Sequence, residues 1–149
     1  MQFLILYLIL MTSTHAIADE LCFVRKTQKG APVYLKMKVS GSDGWAMYSN
    51  ASQEKIPIHL VKINHDLNHG NFEITTKLFH EKINGEITGI YTWQYQNKYL
   101  LSMSYKSYKT GKKTEFDDNA SSEPGYAEGC DNAFHKTENL TFIFNEQYE

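Results

Sequence analysis

Two short strings in the chain spell parts of an acyl-transfer site. Ser52-Gln53-Glu54-Lys55 has S-x-x-K spacing, and Lys109-Thr110-Gly111 is a K-T-G, the pair found in penicillin-binding enzymes. That chemistry needs serine and lysine one helical turn apart, so that the amine can take the hydroxyl proton. Here both strings sit in turns with no helical period around them, and the chain is far shorter than such folds. Neither string predicts a nucleophile.

Metal chemistry would fall to His59, His65, His69, His80 and His135. The tightest group is His65-Asp66-Leu67-Asn68-His69. Two histidines at i and i+4 grip zinc when a helix fixes their geometry, but this stretch runs into Gly70 between two strands. Asp117-Asp118-Asn119 lacks the glycine and the terminal glutamate of an EF-hand loop. Glycoside hydrolysis needs two carboxyl groups facing each other across a cleft. Glu81 and Glu86 flank the Asn84-Gly85 turn, but a plain two-residue loop sets Ile83 against Glu86 and Glu81 against Thr88. No catalytic residue, metal ligand or cofactor site is expected from these patterns.

Lys106, Lys109, Lys112 and Lys113 form a candidate partner surface around the Thr110-Gly111 turn. Such a patch suits an anionic glycan, an anionic lipid or an acidic protein. It would equally serve as a solvated hairpin tip that discourages strand pairing. The net charge of −2 and pI near 6.3 argue against general affinity for nucleic acid.

The elements that must carry these residues are strands. Val33, Leu35, Met37 and Val39 alternate with polar residues. Phe72, Ile74, Thr76 and Leu78 repeat the pattern, as do Leu140, Phe142 and Phe144. Period two with turn signals between runs reads as half-buried strands. The expectation is an all-β domain over 19–149, an antiparallel meander of about 8–9 strands closing as a barrel or sandwich. A long polar loop spans about 117–133.

Within Gly89–Tyr108 the aromatic residues set a register. A three-residue loop Gln96-Asn97-Lys98 pairs Tyr95 with Tyr99, Trp93 with Leu101 and Tyr91 with Met103, leaving Gly89 under Tyr105. All the large side chains then share one face, which hydrophobic patterning favours. Tyr91, Trp93, Tyr95, Tyr99, Met103 and Tyr105 are therefore expected inside, either as filled core or as the lining of a ligand cavity.

Phe3–Met11 is an unbroken apolar run ending near Ala16-Ile17-Ala18. That pattern predicts a signal peptide over 1–18, too short an apolar run to remain as a spanning helix. Cys22 and Cys130 are the two cysteines, and in an oxidising compartment they are expected to form one disulfide.

Export to a bacterial periplasm or beyond the cell follows, with no stable membrane insertion after cleavage. The first functional expectation is a non-catalytic binding module for an envelope protein or glycan, for instance an inhibitor of an attacking enzyme. A carrier of a small ligand in an aromatic-lined barrel is the second. A hydrolase built from distant strands, with His59 or His135 and Asp117, is the third.

Overall fold

The computed structural model describes residues 19–67, 72–97, 99–119 and 123–135. The expected signal peptide, His69 and the Leu140–Phe144 pattern lie outside these residues. Eight strands run in chain order: β1 (Asp19–Arg25), β2 (Val33–Ser40), β3 (Asp43–Tyr48), β4 (Ile56–Leu67), β5 (Glu73–Ile83), β6 (Glu86–Gln96), β7 (Tyr99–Ser107) and β8 (Lys113–Phe116). Each pairs antiparallel with the next in one sheet. Val24 bridges Asp117 antiparallel, and Cys22 bridges Tyr126 in parallel. The meander therefore curls until its first and last strands nearly meet, forming a barrel with few unpaired edges.

The inner face follows the alternation in β2, where Val33, Leu35, Met37 and Val39 are all buried. Leu35, Met37 and Val39 join Phe23, Ala46, Ile58, Phe79, Tyr91, Trp93 and Met103 in one core. In β5 the expected face is reversed. Phe79 points inward, while Ile74, Thr76 and Leu78 stand on the outer side and Phe72 is 59 % exposed. Both faces of β5 carry apolar residues, so alternation alone did not choose between them. The choice falls to Phe79, which packs against Trp93 with ring centroids 4.5 Å apart.

Three irregularities set the register, and the sequence reading missed them. Across β4 and β5, Leu60 faces Phe79 and Lys62 faces Leu78, so Val61 is an extra residue. Across β5 and β6, Ile83 pairs with Glu86 as expected, but Glu81 pairs with Gly89, making Thr88 an extra residue. Across β6 and β7, Gln96 pairs with Tyr99 and Tyr95 with Leu100, after which Gln94 pairs with Ser102.

The last turn therefore has the two-residue form, and a bulge at Leu101 restores the aromatic face one residue on. Trp93 faces Met103 and Tyr91 faces Tyr105. The expected pairings of Tyr95 with Tyr99, Trp93 with Leu101 and Tyr91 with Met103 are not formed. A bulge adds one residue and bends its strand, which a curling sheet requires.

One short helix, α1 (Cys130–His135), begins inside the stretch expected to be loop. It packs outside the barrel, where Cys22, Cys130 and Phe134 meet Tyr34 and Met47. The Cys22–Cys130 disulfide ties it to β1 across 108 residues of sequence, with Cα atoms 6.3 Å apart. Among the described residues, no helix is long and apolar enough to cross a membrane.

Candidate functional site

A buried polar cluster lies near the end of the barrel where β1, β3, β5 and β7 finish. Its centre is Glu81, 4 % exposed. Alternation along β5 places it there, two residues after the inward-facing Phe79, and the bulge at Thr88 on β6 sets Gly89 opposite it and Tyr91 opposite Phe79. Its carboxyl Oε1 accepts 2.7 Å hydrogen bonds from Thr88 Oγ1 and Tyr105 Oη, and Oε2 accepts one from Tyr91 Oη at 2.7 Å. Tyr48 and Tyr91 hydroxyls lie 2.9 Å apart. A buried carboxyl group is tolerable only with such donors around it.

The proton directions follow. Tyr91 and Tyr105 each have one hydroxyl proton, and each gives it to Glu81. Tyr48 must then donate to the Tyr91 oxygen. Burial pushes the Tyr48, Tyr91 and Tyr105 phenols above the ordinary tyrosine range, and the Glu81 charge raises them further. They stay protonated at any ordinary pH, so the network is fixed. Tyr48 and Tyr105 turn only acceptor lone pairs toward the barrel mouth.

Above the cluster opens a cleft of about 230 Å³, bordered by Arg25, Tyr48, Asn50, Tyr105, Thr114 and Phe116. Arg25 follows Phe23 by two positions on β1, so both face inward, and the Arg25 charge reaches the Tyr48 phenol. Its guanidinium forms no ion pair with any described residue. A second groove of about 450 Å³ lies beside it, bordered by Tyr48, Ser52, Lys55, Pro57, Ile83 and Asn84.

The rim of this end is basic. The loops at 26–32, 49–55 and 108–112 carry Lys26, Lys29, Lys55, Lys109 and Lys112 against one acid, Glu54. Lys106 and Lys113 flank the last of these loops and, like Lys109 and Lys112, are exposed. Lys113 pairs with Glu115 at 2.5 Å. The other end differs: Asp43, Asp66 and Glu73 flank its turns. After β8, Asp117 bridges Val24, Asp118 accepts a hydrogen bond from the Gly125 N–H, and Tyr126 bridges Cys22 on β1.

Of the expected interior residues, Tyr91, Trp93 and Met103 are at most 1 % exposed, and all belong to the packed core. Tyr95 and Tyr105 are partly buried against it. Tyr99 is 54 % exposed and stands outside, because the bulge at Leu101 shifts β7 by one residue. Tyr91 already has protein partners for its hydroxyl, so it does not need a ligand to satisfy it. Trp93 Nε1 is buried without a hydrogen-bond partner.

The remaining candidates do not converge. Lys55 holds its ammonium 5.0 Å from the Trp45 ring, a cation–π contact. Lys109-Thr110-Gly111 forms the β7–β8 turn. His59 bonds Asp43 at 2.7 Å and His65 bonds Glu73 at 2.8 Å, both on exposed surface. His59 on β4 and Asp117 beyond β8 stand on opposite walls of the ring. Among the described residues, no three His, Cys, Asp or Glu side chains gather as a metal-holding group.

Sequence reading missed Arg25, Tyr48 and the inward turn of Glu81. Alternation from Phe23 could have flagged Arg25. Alternation from Phe79 could have flagged Glu81 in the same way. No protein-family model matches this chain, and no curated protein or solved structure matches it.

Proposed function

We propose that this chain is an exported, non-catalytic binding protein whose basic barrel mouth holds an anionic glycan or protein of the cell envelope. The observation that carries this reading is the coincidence of three features at one end. They are the open cleft, the Arg25 guanidinium, which forms no ion pair with any described residue, and the cluster of Lys106, Lys109, Lys112 and Lys113. Loops on a rigid scaffold are the usual seat of recognition, and a rim of one sign attracts a partner of the other.

The disulfide supports export, since such bonds persist in oxidising compartments. The floor supports binding over turnover, because every hydroxyl proton of Tyr48, Tyr91 and Tyr105 is already committed within the network. An acidic polymer should be retained by the oxidised protein and released by salt. Replacing Lys109, Lys112 and Lys113 with serine should weaken that retention without unfolding the barrel, and undiminished retention would refute the choice of surface.

A further inference from the structure

We infer that the Arg25 cleft is a subsite for one carboxylated sugar residue of an acidic polysaccharide, an inference that rests on the binding function proposed above. The cleft, at about 230 Å³, is smaller than the ~300–1,000 Å³ pockets that take drug-sized ligands. It has room for a single small ring while the rest of a chain runs out over the lysines.

Its polar groups sort into two kinds. Arg25 offers a planar fork of N–H donors, the geometry that grips a carboxylate through two parallel hydrogen bonds. The Tyr48 and Tyr105 oxygens offer acceptors only, since their protons are spent on the Glu81 network. Asn50 supplies one amide donor group and one acceptor.

A ligand that satisfies this set carries one carboxylate beside hydroxyl donors, and a uronic-acid type of sugar does. An aspartate or glutamate side chain would leave the phenol oxygens unmatched. A phosphate would place two charges against those lone pairs with one guanidinium to offset them. The Phe116 and Tyr105 rings add apolar surface for the C–H face of a sugar.

The test is a side-chain nuclear magnetic resonance titration of the oxidised protein with D-glucuronate, D-glucose, acetate and inorganic phosphate. Glucuronate should shift the Arg25 Nε–Hε and Asn50 amide signals, and glucose at equal concentration should not. Acetate should bind more weakly than glucuronate. Arg25→Gln should weaken glucuronate at least about tenfold, as losing a charged hydrogen-bond pair does, while Arg25→Lys should retain part of the affinity.

An unmoved Arg25 signal, acetate as tight as glucuronate, or phosphate tighter than glucuronate would each overturn the inference. The Lys109→Ser, Lys112→Ser, Lys113→Ser variant separates the two readings. If it still shows the glucuronate shift and holds polymer as well as the parent, the rim reading falls and the subsite stands. If the parent holds polymer but Arg25 stays silent, the subsite falls and the rim reading stands.

Discussion

The Tyr105 ring lies directly over Gly89: a Cβ on Gly89 would come within 2.4–2.5 Å of three atoms of that phenol. The same phenol bonds Glu81 at 2.7 Å, so the bare backbone at Gly89 is what lets Tyr105 reach the buried carboxyl. Gly89→Ala should displace the ring and destabilise the protein by about 1–3 kcal/mol, the usual cost of overpacking. Denaturant unfolding checks the magnitude. The double variant with Tyr105→Ala should cost clearly less than the two single variants added together, because the clash disappears with the ring.

Glu81 accepts the hydroxyl hydrogen bonds of Thr88, Tyr91 and Tyr105. Glu81→Leu strips that acceptor and should cost on the order of 3 kcal/mol, since buried donors left unpaired carry their full desolvation penalty. Glu81→Gln keeps one acceptor oxygen and should cost only about 1–2 kcal/mol. Equal losses in a urea midpoint comparison would show that the network contributes nothing beyond shape.

The buried phenols make stability fall in alkali. Tyr48 and Tyr91 titrate well above the ordinary value in the folded protein, chiefly through burial. In the unfolded chain they titrate near ~10. Below that pH both states keep the protons and stability is fully present. As pH rises through it, the unfolded state alone loses protons, so stability falls until the folded values are reached. Each of these two phenols should contribute a slope of about 1.4 kcal/mol per pH unit, and the more exposed Tyr105 less. Phenolate absorbance should show these rings silent until the barrel opens, and Tyr91→Phe should flatten the stability profile.

The disulfide joins residues 108 apart. Replacing Cys22 and Cys130 by serine should destabilise the fold by about 2–5 kcal/mol. The loss should appear first in the closing seam. Hydrogen exchange should quicken at the Ala127 N–H, which bonds the Cys22 carbonyl at 2.6 Å, before it does at Trp93 or Tyr91.

The strands, the Asn84-Gly85 turn and the disulfide were legible because each rests on local chemistry. Alternation gave β2. Positive φ at both Asn84 (52°) and Gly85 (86°) suits the tight hairpin that Asn-Gly favours. The candidate site was not legible, because it depends on bulges. Period two cannot reveal an extra residue at Thr88 or Leu101. The first of these brings Gly89 opposite Glu81, and the second leaves Tyr99 outside. The basic rim was half legible: the lysines were evident, but only the fold shows that the segment after β8 bridges β1 at Val24 and Cys22.

The central claim is that the lysine-bearing end of the barrel, and not its acidic side, holds an anionic partner. The most direct measurement is the affinity of the oxidised protein for polygalacturonate at about 50 and 150 mM salt, a range over which exposed charges become strongly screened. Binding is expected to weaken with salt. It should fall on the order of tenfold in the Lys109→Ser, Lys112→Ser, Lys113→Ser variant, at a few tenths of a kcal/mol or more per charge. It should hold or strengthen in an Asp118→Asn, Glu123→Gln variant. Polygalacturonate binding that ignores the three lysines and collapses when Asp118 and Glu123 are neutralised would contradict the account.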